Sequence, residues 1–179
     1  MKLDEPSKGD RGWEIFLLDY KVNDLSPLST IFTDEVMKSY EKIFRFMWRL
    51  KKITHQLSLS WGITMANRKA FELLPGDLRG KFHRFNLAHH EMAHFVHNVH
   101  NYILVEVLES SWSVFLTRLR TVGDLDNLII FQKKFVHDIL DKALLSDQYR
   151  DLCKQLQKLL NYVFMFTLIK EKYVYQSAI

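Results

Sequence analysis

The sequence predicts an all-α protein, an irregular multi-helix bundle with long central helices and a short extended N-terminal arm. Apolar residues recur every three to four positions along most of the chain, which is the period of an amphipathic helix. The 6 glycines and 3 prolines lie almost entirely before residue 81. The second half therefore lacks the residues that usually end helices.

Length and composition indicate one folded domain. The 179 residues are 47% hydrophobic and 13% aromatic, which is enough apolar material for a substantial core. Residues 1–12 combine proline, serine, glycine and charge, and we interpret them as a flexible linker or a domain boundary. Residues 13–179 then form the helical domain.

The sequence indicates a cytosolic protein without membrane partners. A single cysteine, Cys153, cannot form an internal disulfide, so nothing points to an oxidising compartment. No apolar run reaches the roughly 18 residues that suggest a membrane span. The N-terminus is too polar for a signal peptide.

The first elements are an arm and a long helix. The run WEIFLLDYKV at residues 13–22 reads as a strand-like arm, followed by turn-prone residues up to Pro27. Thr33 is the expected N-cap of the first long helix, with Asp34 and Glu35 in its first turn. The helical pattern then continues to about Trp61.

Glycine and proline divide the rest of the chain. Residues 62–76 contain Gly62, Pro75 and Gly76 and predict a mostly irregular connection with one short helical piece. Asp77 is the expected cap of a helix over residues 78–109, with a break or bend near residues 110–111 before it continues.

Two further helices complete the predicted bundle. One covers residues 125–145, after Gly123 and Asp124, with Asp124 interpreted as a capping residue. The other runs from Asp147 to about residue 175, with Ser146 as its cap.

The segment HHEMAHFVHNVH, residues 89–100, contains the HExxH pattern of zinc peptidases at His90, Glu91 and His94. Histidines four residues apart share a helix face and can bind one zinc ion, while the glutamate acts as a general base. In the branch with three histidine ligands, a glycine lets the chain leave the helix so that the last histidine returns to the metal. This sequence has His97 where that glycine would stand.

The helical pattern continues beyond His97 without glycine or proline, which removes the third ligand. At about 100° per residue, His100 lies about 120° from His94 on the same helix. Glu106 and Glu109 lie too far along the axis to replace it. We therefore expect no catalytic residue, metal or cofactor, and keep a zinc metallopeptidase as the alternative function.

Three other roles for the histidines stay open. They can lie at the hydrated edge of the core and form hydrogen bonds with neighbouring residues. Residues 90, 94 and 97 can form an adventitious metal site. The histidines can also make a protein interface sensitive to pH. The predicted stripe consists of His83, His90, His94 and His97.

The polar face of the first long helix is almost entirely positive. Its cations repeat at spacings of four and three residues: Lys38, Lys42, Arg45, Arg49 and Lys52. Glu41 is the acidic residue near this stripe, so little neutralisation is available within the helix. Five like charges in line favour an acidic partner. A protein surface fits better than nucleic acid, because exposed aromatics for stacking on bases are not interleaved with the cations.

Several separate segments resemble one known family. They are WEIFLLDYKV, PLSTIFTDEVMKSYEKIFRFMWRLKK, EMAHFVHNVHNYILVEVLESSW and DLDNLIIFQKKFVHDIL. Their order and spacing are similar to those of the C-terminal domain of the gamma-tubulin complex components, most of all the component 3 branch. The resemblance covers about residues 13–160. A histidine at position 90 is not typical of the family pattern, whereas the matching positions include Glu91, Met92, His94, Phe95 and His97.

The resemblance implies a non-catalytic helical domain that binds gamma-tubulin beside other components of a microtubule-nucleating complex. It implies a place in the cytoplasm, on the cytoskeleton, at a microtubule-organizing centre such as a centrosome or spindle pole. Members of the family also have a large N-terminal half and usually continue at the C-terminus, so the chain is interpreted as a fragment or a shortened relative. Our candidate contact residues come from charge and position, not from the family pattern: Arg45, Arg49 and Lys52, with Tyr20 and Lys21 in the segment 20–33 as a second set.

Overall fold

The structure is a computed structural model that describes residues 28–72 and 75–177. Helices are α1 (Leu28–Ile31), α2 (Asp34–Ala66), α3 (Arg68–Glu72), α4 (Gly76–Asn101), α5 (Ser110–Leu119), α6 (Leu125–Lys142) and α7 (Arg150–Ser177). A π-helical segment, Tyr102–Glu109, joins α4 to α5, and a 3₁₀ turn, Asp147–Tyr149, precedes α7. The all-α prediction is confirmed within these ranges, which contain no strand. The predicted arm at 13–22 lies outside them.

The described chain divides into two compact units. The first contains residues 28–48 and 103–150, and the second contains residues 49–72, 75–102 and 151–177. Helix α2 therefore begins in the first unit and ends in the second. Among the described residues, none of the helices combines the length and apolar character required to cross a bilayer.

The first unit is held together by an apolar core that α2, the π-helical segment, α5 and α6 all supply. Aromatic rings link α5 to α6, with the Phe115 and Phe135 centroids 4.7 Å apart. Gln132 of α6 is buried, and its Nε2 donates to the Tyr40 hydroxyl at 2.5 Å. The buried apolar residues include Val36, Ile43, Phe46, Ile103, Val107, Phe115, Val136 and Ile139.

The second unit packs the later half of α2 with α3, α4 and α7. The buried side chains of α7 repeat at spacings of three and four residues, which places them on one helix face. The apolar core residues include Leu50, Ile53, Leu57, Phe71, Val96, Leu160, Val163 and Val174. Leu50 and Leu57 of α2 are 0% and 4% exposed.

Helix α2 runs five residues beyond its predicted end, so the prediction that residues 62–66 are irregular is wrong. Gly62 lies inside the helix. A glycine costs a helix interior only about 1 kcal/mol, and burial of Leu57, Ser60 and Thr64 on both sides of it favours continuation. The short helical piece predicted in this connection is confirmed as α3.

The predicted break near residues 110–111 is also wrong. Glu109 has helical dihedral angles, φ −65° and ψ −43°, and the irregularity lies earlier, as the π-helical segment. Ser111 is buried in the first unit, and its hydroxyl accepts from Lys142 Nζ at 3.4 Å.

The predicted caps have mixed outcomes. Asp124 is confirmed, since its carboxylate accepts from the Asn127 backbone N–H at 2.7 Å. Thr33 and Ser146 stand before their helical segments, but their hydroxyls make no hydrogen bond within the described residues. Asp77 lies inside α4, because Pro75 takes the N-cap position.

Helix α6 ends at Lys142, three residues before the predicted end. Leu144 adopts a left-handed conformation with φ 59°. The N–H of Leu145 then donates to the Leu140 carbonyl at 2.7 Å, which is the bond that closes a Schellman-type helix end. Leucine rarely adopts this conformation, so the helix pattern alone did not predict the stop.

Candidate functional site

The basic stripe of α2 is exposed in the first unit. Lys38, Lys42 and Arg45 all lie on the surface there. Arg45 Nη2 forms an ion pair with Glu41 Oε1 at 2.6 Å, and half of the arginine side chain remains accessible. A surface pair of this type adds little stability. Cationic surface is therefore present for a partner at the start of α2.

The stripe changes character in the second unit. Arg49 is half-buried, and its Nη2 donates to Asn161 Oδ1 of α7 at 2.6 Å. Lys52 is only 9% exposed, with its Nζ 4.7 Å from the centroid of the Phe164 ring. Burial lowers the pKa of Lys52 below its ordinary value. Contacts with α7 therefore cover much of the side-chain surface of these two cations.

The second set of candidate residues, Tyr20 and Lys21, lies outside the described residues. Residues 28–33, the later part of the predicted segment 20–33, lie in the first unit. Residues Leu28–Ile31 form α1, which packs against α6, and Thr33 directly precedes α2.

The HExxH residues lie on a continuous helix. Helix α4 runs from Gly76 to Asn101 and passes directly into the π-helical segment, so the chain makes no turn at His97. His90, Glu91, His94 and His97 are all exposed. Within the ranges that the structure describes, no three or more side chains of His, Cys, Asp or Glu are arranged to hold a metal ion.

The buried histidine of this segment is His89, which the sequence analysis did not single out. It is 4% exposed, and its ring stacks on Trp61 of α2 with the centroids 5.6 Å apart. Burial, together with the nearby positive charges of Lys170 and His90, lowers the pKa of His89 to about 4. The imidazole is therefore neutral at pH 7.

Lys170 of α7 approaches the same tryptophan. Its side chain is 1% exposed, and its Nζ lies 5.6 Å from the centroid of the Trp61 ring. Burial lowers the pKa of Lys170 to about 8. Helical spacing in the sequence could have indicated that both residues are buried. His89 lies on the same helix face as buried Val96, and Lys170 lies on the same helix face as buried Val163, Thr167 and Val174. We call Trp61, His89 and Lys170 the Trp61 cluster.

These features define an all-helical module with a basic surface on one long helix and a polar cluster inside its second unit. The chain belongs to the gamma-tubulin complex component family. A family model described as "Gamma tubulin complex component C-terminal" matches residues 1–178, which confirms the resemblance of the separate segments.

Named relatives agree with this assignment. The gamma-tubulin complex component 3 homolog of Xenopus laevis is 36% identical over 166 residues, 93% of this chain and 18% of the relative. Human gamma-tubulin complex component 3 is 36% identical over 157 residues, 88% of this chain and 17% of the relative. Spindle pole body component alp6 of Schizosaccharomyces pombe is 37% identical over 147 residues, 81% of this chain and 17% of the relative. The chain thus spans less than a fifth of the length of these relatives.

Proposed function

We propose that this chain is a gamma-tubulin-binding module of a microtubule-nucleating gamma-tubulin complex. The observation that carries the proposal is the match of one family model to nearly the whole chain, joined by relatives named as components of that complex. The module works beside other gamma-tubulin complex components. Relatives named for the spindle pole body support a location at a microtubule-organizing centre.

The binding surface that we propose begins with the exposed cations of α2. Arg45, with Lys38 and Lys42 beside it, presents positive charge in the first unit. Such a surface steers and orients an acidic protein partner. Arg49 is the contact residue proposed in the second unit, where it is half-buried beside Asn161. Lys52 contributes mainly through its packing on Phe164, and Tyr20 and Lys21 remain proposed contacts.

We infer further that the module has no catalytic activity of its own. The HExxH letters favour a zinc metallopeptidase, but α4 stays helical through position 97, where the three-histidine peptidases need a turn. Zinc analysis after dialysis tests this inference. Less than a tenth of a zinc ion per chain is expected, whereas about one ion per chain, with hydrolysis abolished by Glu91→Gln, would establish the peptidase.

A binding experiment with purified gamma-tubulin tests the main proposal. The 179-residue chain is expected to retain gamma-tubulin at moderate salt, and Lys42→Glu combined with Arg45→Glu is expected to weaken binding at least tenfold. The matched control is Lys133→Glu combined with Lys134→Glu, which changes the charge equally on exposed residues of α6. Absence of binding by the unmodified chain would refute the proposal. Equal loss in the two double variants would instead refute the role of the α2 surface.

A further inference from the structure

The core of the second unit contains a layer of polar side chains. Thr64 and Thr167 satisfy their hydroxyls locally, donating to the carbonyls of Ser60 at 2.8 Å and Phe164 at 2.7 Å. Four other polar atoms of this unit are buried without a hydrogen-bond partner in the described residues: Ser60 Oγ, Asn86 Oδ1, His89 Nδ1 and Lys170 Nζ. Buried polar atoms almost always have a partner. Of these four, Lys170 Nζ belongs to a cation, whose burial without a partner costs the most.

Lys170 is the most costly member of the Trp61 cluster. An ammonium group has three N–H donors and no acceptor, and its Nζ donates none of them to a described residue. The pKa of about 8 means that the group is still mostly charged at pH 7. The ring of Trp61, 5.6 Å away, attracts the charge but accepts no conventional hydrogen bond.

The carboxylate that follows Lys170 in the sequence accepts from another side chain and not from the lysine. Glu171 Oε1 accepts from Gln56 Nε2 at 2.9 Å, and burial raises the pKa of Glu171. His89 cannot compensate the lysine, because a neutral imidazole carries no negative charge. The cluster thus combines a buried cation, a neutral histidine and an indole ring, and what it lacks is an anion.

The Trp61 cluster lies close to the surface. Although Lys170 and His89 are buried, Trp61 is 43% exposed and its ring is in contact with both. Met65, one turn further along α2, is 40% exposed. Trp61 and Met65 thus form an exposed apolar rim on α2 beside the two buried side chains.

We propose that the Trp61 cluster receives a carboxylate side chain of a protein partner, which pairs with Lys170 after Trp61 moves aside. The apolar rim of Trp61 and Met65 favours a protein over a free anion, because a free anion would gain nothing from these side chains. An aspartate or glutamate with apolar neighbours matches both parts of the site. The inference rests on the proposed function, with gamma-tubulin as the partner, and it adds a recognition site in the second unit.

The experiment compares Lys170→Met with Lys172→Met in the full 179-residue chain. Lys172 is an exposed lysine of the same helix, so its substitution removes the same charge from a neighbouring position. Binding to purified gamma-tubulin is measured together with thermal unfolding. For Lys170→Met we expect at least a tenfold loss of affinity with an unchanged or higher Tm, whereas Lys172→Met should bind within twofold of the unmodified chain.

A second variant covers the case in which methionine is not tolerated at this position. Lys170→Gln keeps an N–H donor but removes the charge, and it is expected to lose affinity to the same extent. Binding of Lys170→Met or Lys170→Gln within twofold of the unmodified chain, or an equal loss in Lys172→Met, overturns the inference. If the unmodified chain does not bind at all, the proposed function itself fails, which is a separate outcome.

A third arm separates a partner carboxylate from a free anion. Inorganic phosphate is added to the chain without gamma-tubulin, and Tm is recorded for the unmodified chain and for Lys170→Met. We expect the same small response in both proteins. A rise in Tm that depends on phosphate concentration and requires Lys170 would identify a small-anion site and overturn the assignment to a protein partner.

Discussion

The imidazole of His89 stacks on the indole of Trp61, with the two ring centroids 5.6 Å apart and an interplanar angle of 25°. This contact joins α2 and α4 inside the second unit and holds the histidine away from water. Protonation of His89 would place a second positive charge close to Lys170 in the same core. The folded state therefore disfavours the protonated form of His89.

Stability is therefore expected to fall as the pH falls from about 6.5 to about 4, because the unfolded chain binds a proton at His89 before the folded chain does. The pKa of His89 falls from 6.5 to about 4 on folding, so the loss reaches at most about 3 kcal/mol. Chemical denaturation at several pH values measures it. His89→Leu should flatten the slope in this window, and an undiminished slope in this variant would contradict the assignment to His89.

The lowered pKa of Lys170 predicts how the stability of the chain changes at alkaline pH. Its pKa is about 8 in the folded chain against 10.5 ordinarily, so folding releases a proton in this range. Stability should then rise between about pH 8 and pH 10.5, by up to about 3 kcal/mol. Lys170→Met should remove most of that rise and make the chain more stable at pH 7. An equally steep rise in the variant would show that other groups cause it.

Asp124 stabilises the start of α6. Its carboxylate accepts from the Asn127 backbone N–H at 2.7 Å and from the Asn127 side chain at 2.8 Å. We expect Asp124→Ala to cost about 1 kcal/mol in the free energy of unfolding, and Asp124→Asn to cost much less, because asparagine also caps helices. Urea denaturation checks both variants. Equal destabilisation by alanine and asparagine would contradict a capping role.

Leu144 ends α6 in a conformation that disfavours a Cβ atom. With φ at 59°, a residue other than glycine pays about 1–2 kcal/mol. Leu144→Gly and Leu144→Ala both lose the leucine side chain, but only alanine keeps the strained Cβ. The glycine variant should thus be more stable than the alanine variant by about 1 kcal/mol in thermal or urea unfolding. The reverse order would show that φ relaxes when the leucine is removed.

Much of the fold followed from local patterns. The 3.6-residue period and the scarcity of glycine and proline after residue 81 predicted the long helices, and the Gly123-Asp124 pair predicted the start of α6. Where these patterns failed, tertiary packing was stronger than local preference. Gly62 stays helical because buried residues on both sides of it hold α2 in the second unit.

For the candidate sites too, local patterns predicted part of the arrangement and tertiary packing decided the rest. Helical spacing placed five cations on one face of α2, and the sequence determined that face. It could not determine that Arg49 would bond to Asn161 and that Lys52 would pack on Phe164, because both partners come from α7, more than a hundred residues later in the chain.

By itself, the sequence determined that the chain is helical, to which family it belongs, and that position 97 lacks the glycine with which a three-histidine zinc peptidase would turn. Only the tertiary structure decided which polar residues lost contact with water. His89 and His90 are neighbours in the sequence, but a helix separates adjacent side chains by about 100°. One therefore lies against Trp61 with Lys170 nearby, while the other stays in solvent. That difference depends on the packing of α2 and α7 around α4, which no local pattern encodes.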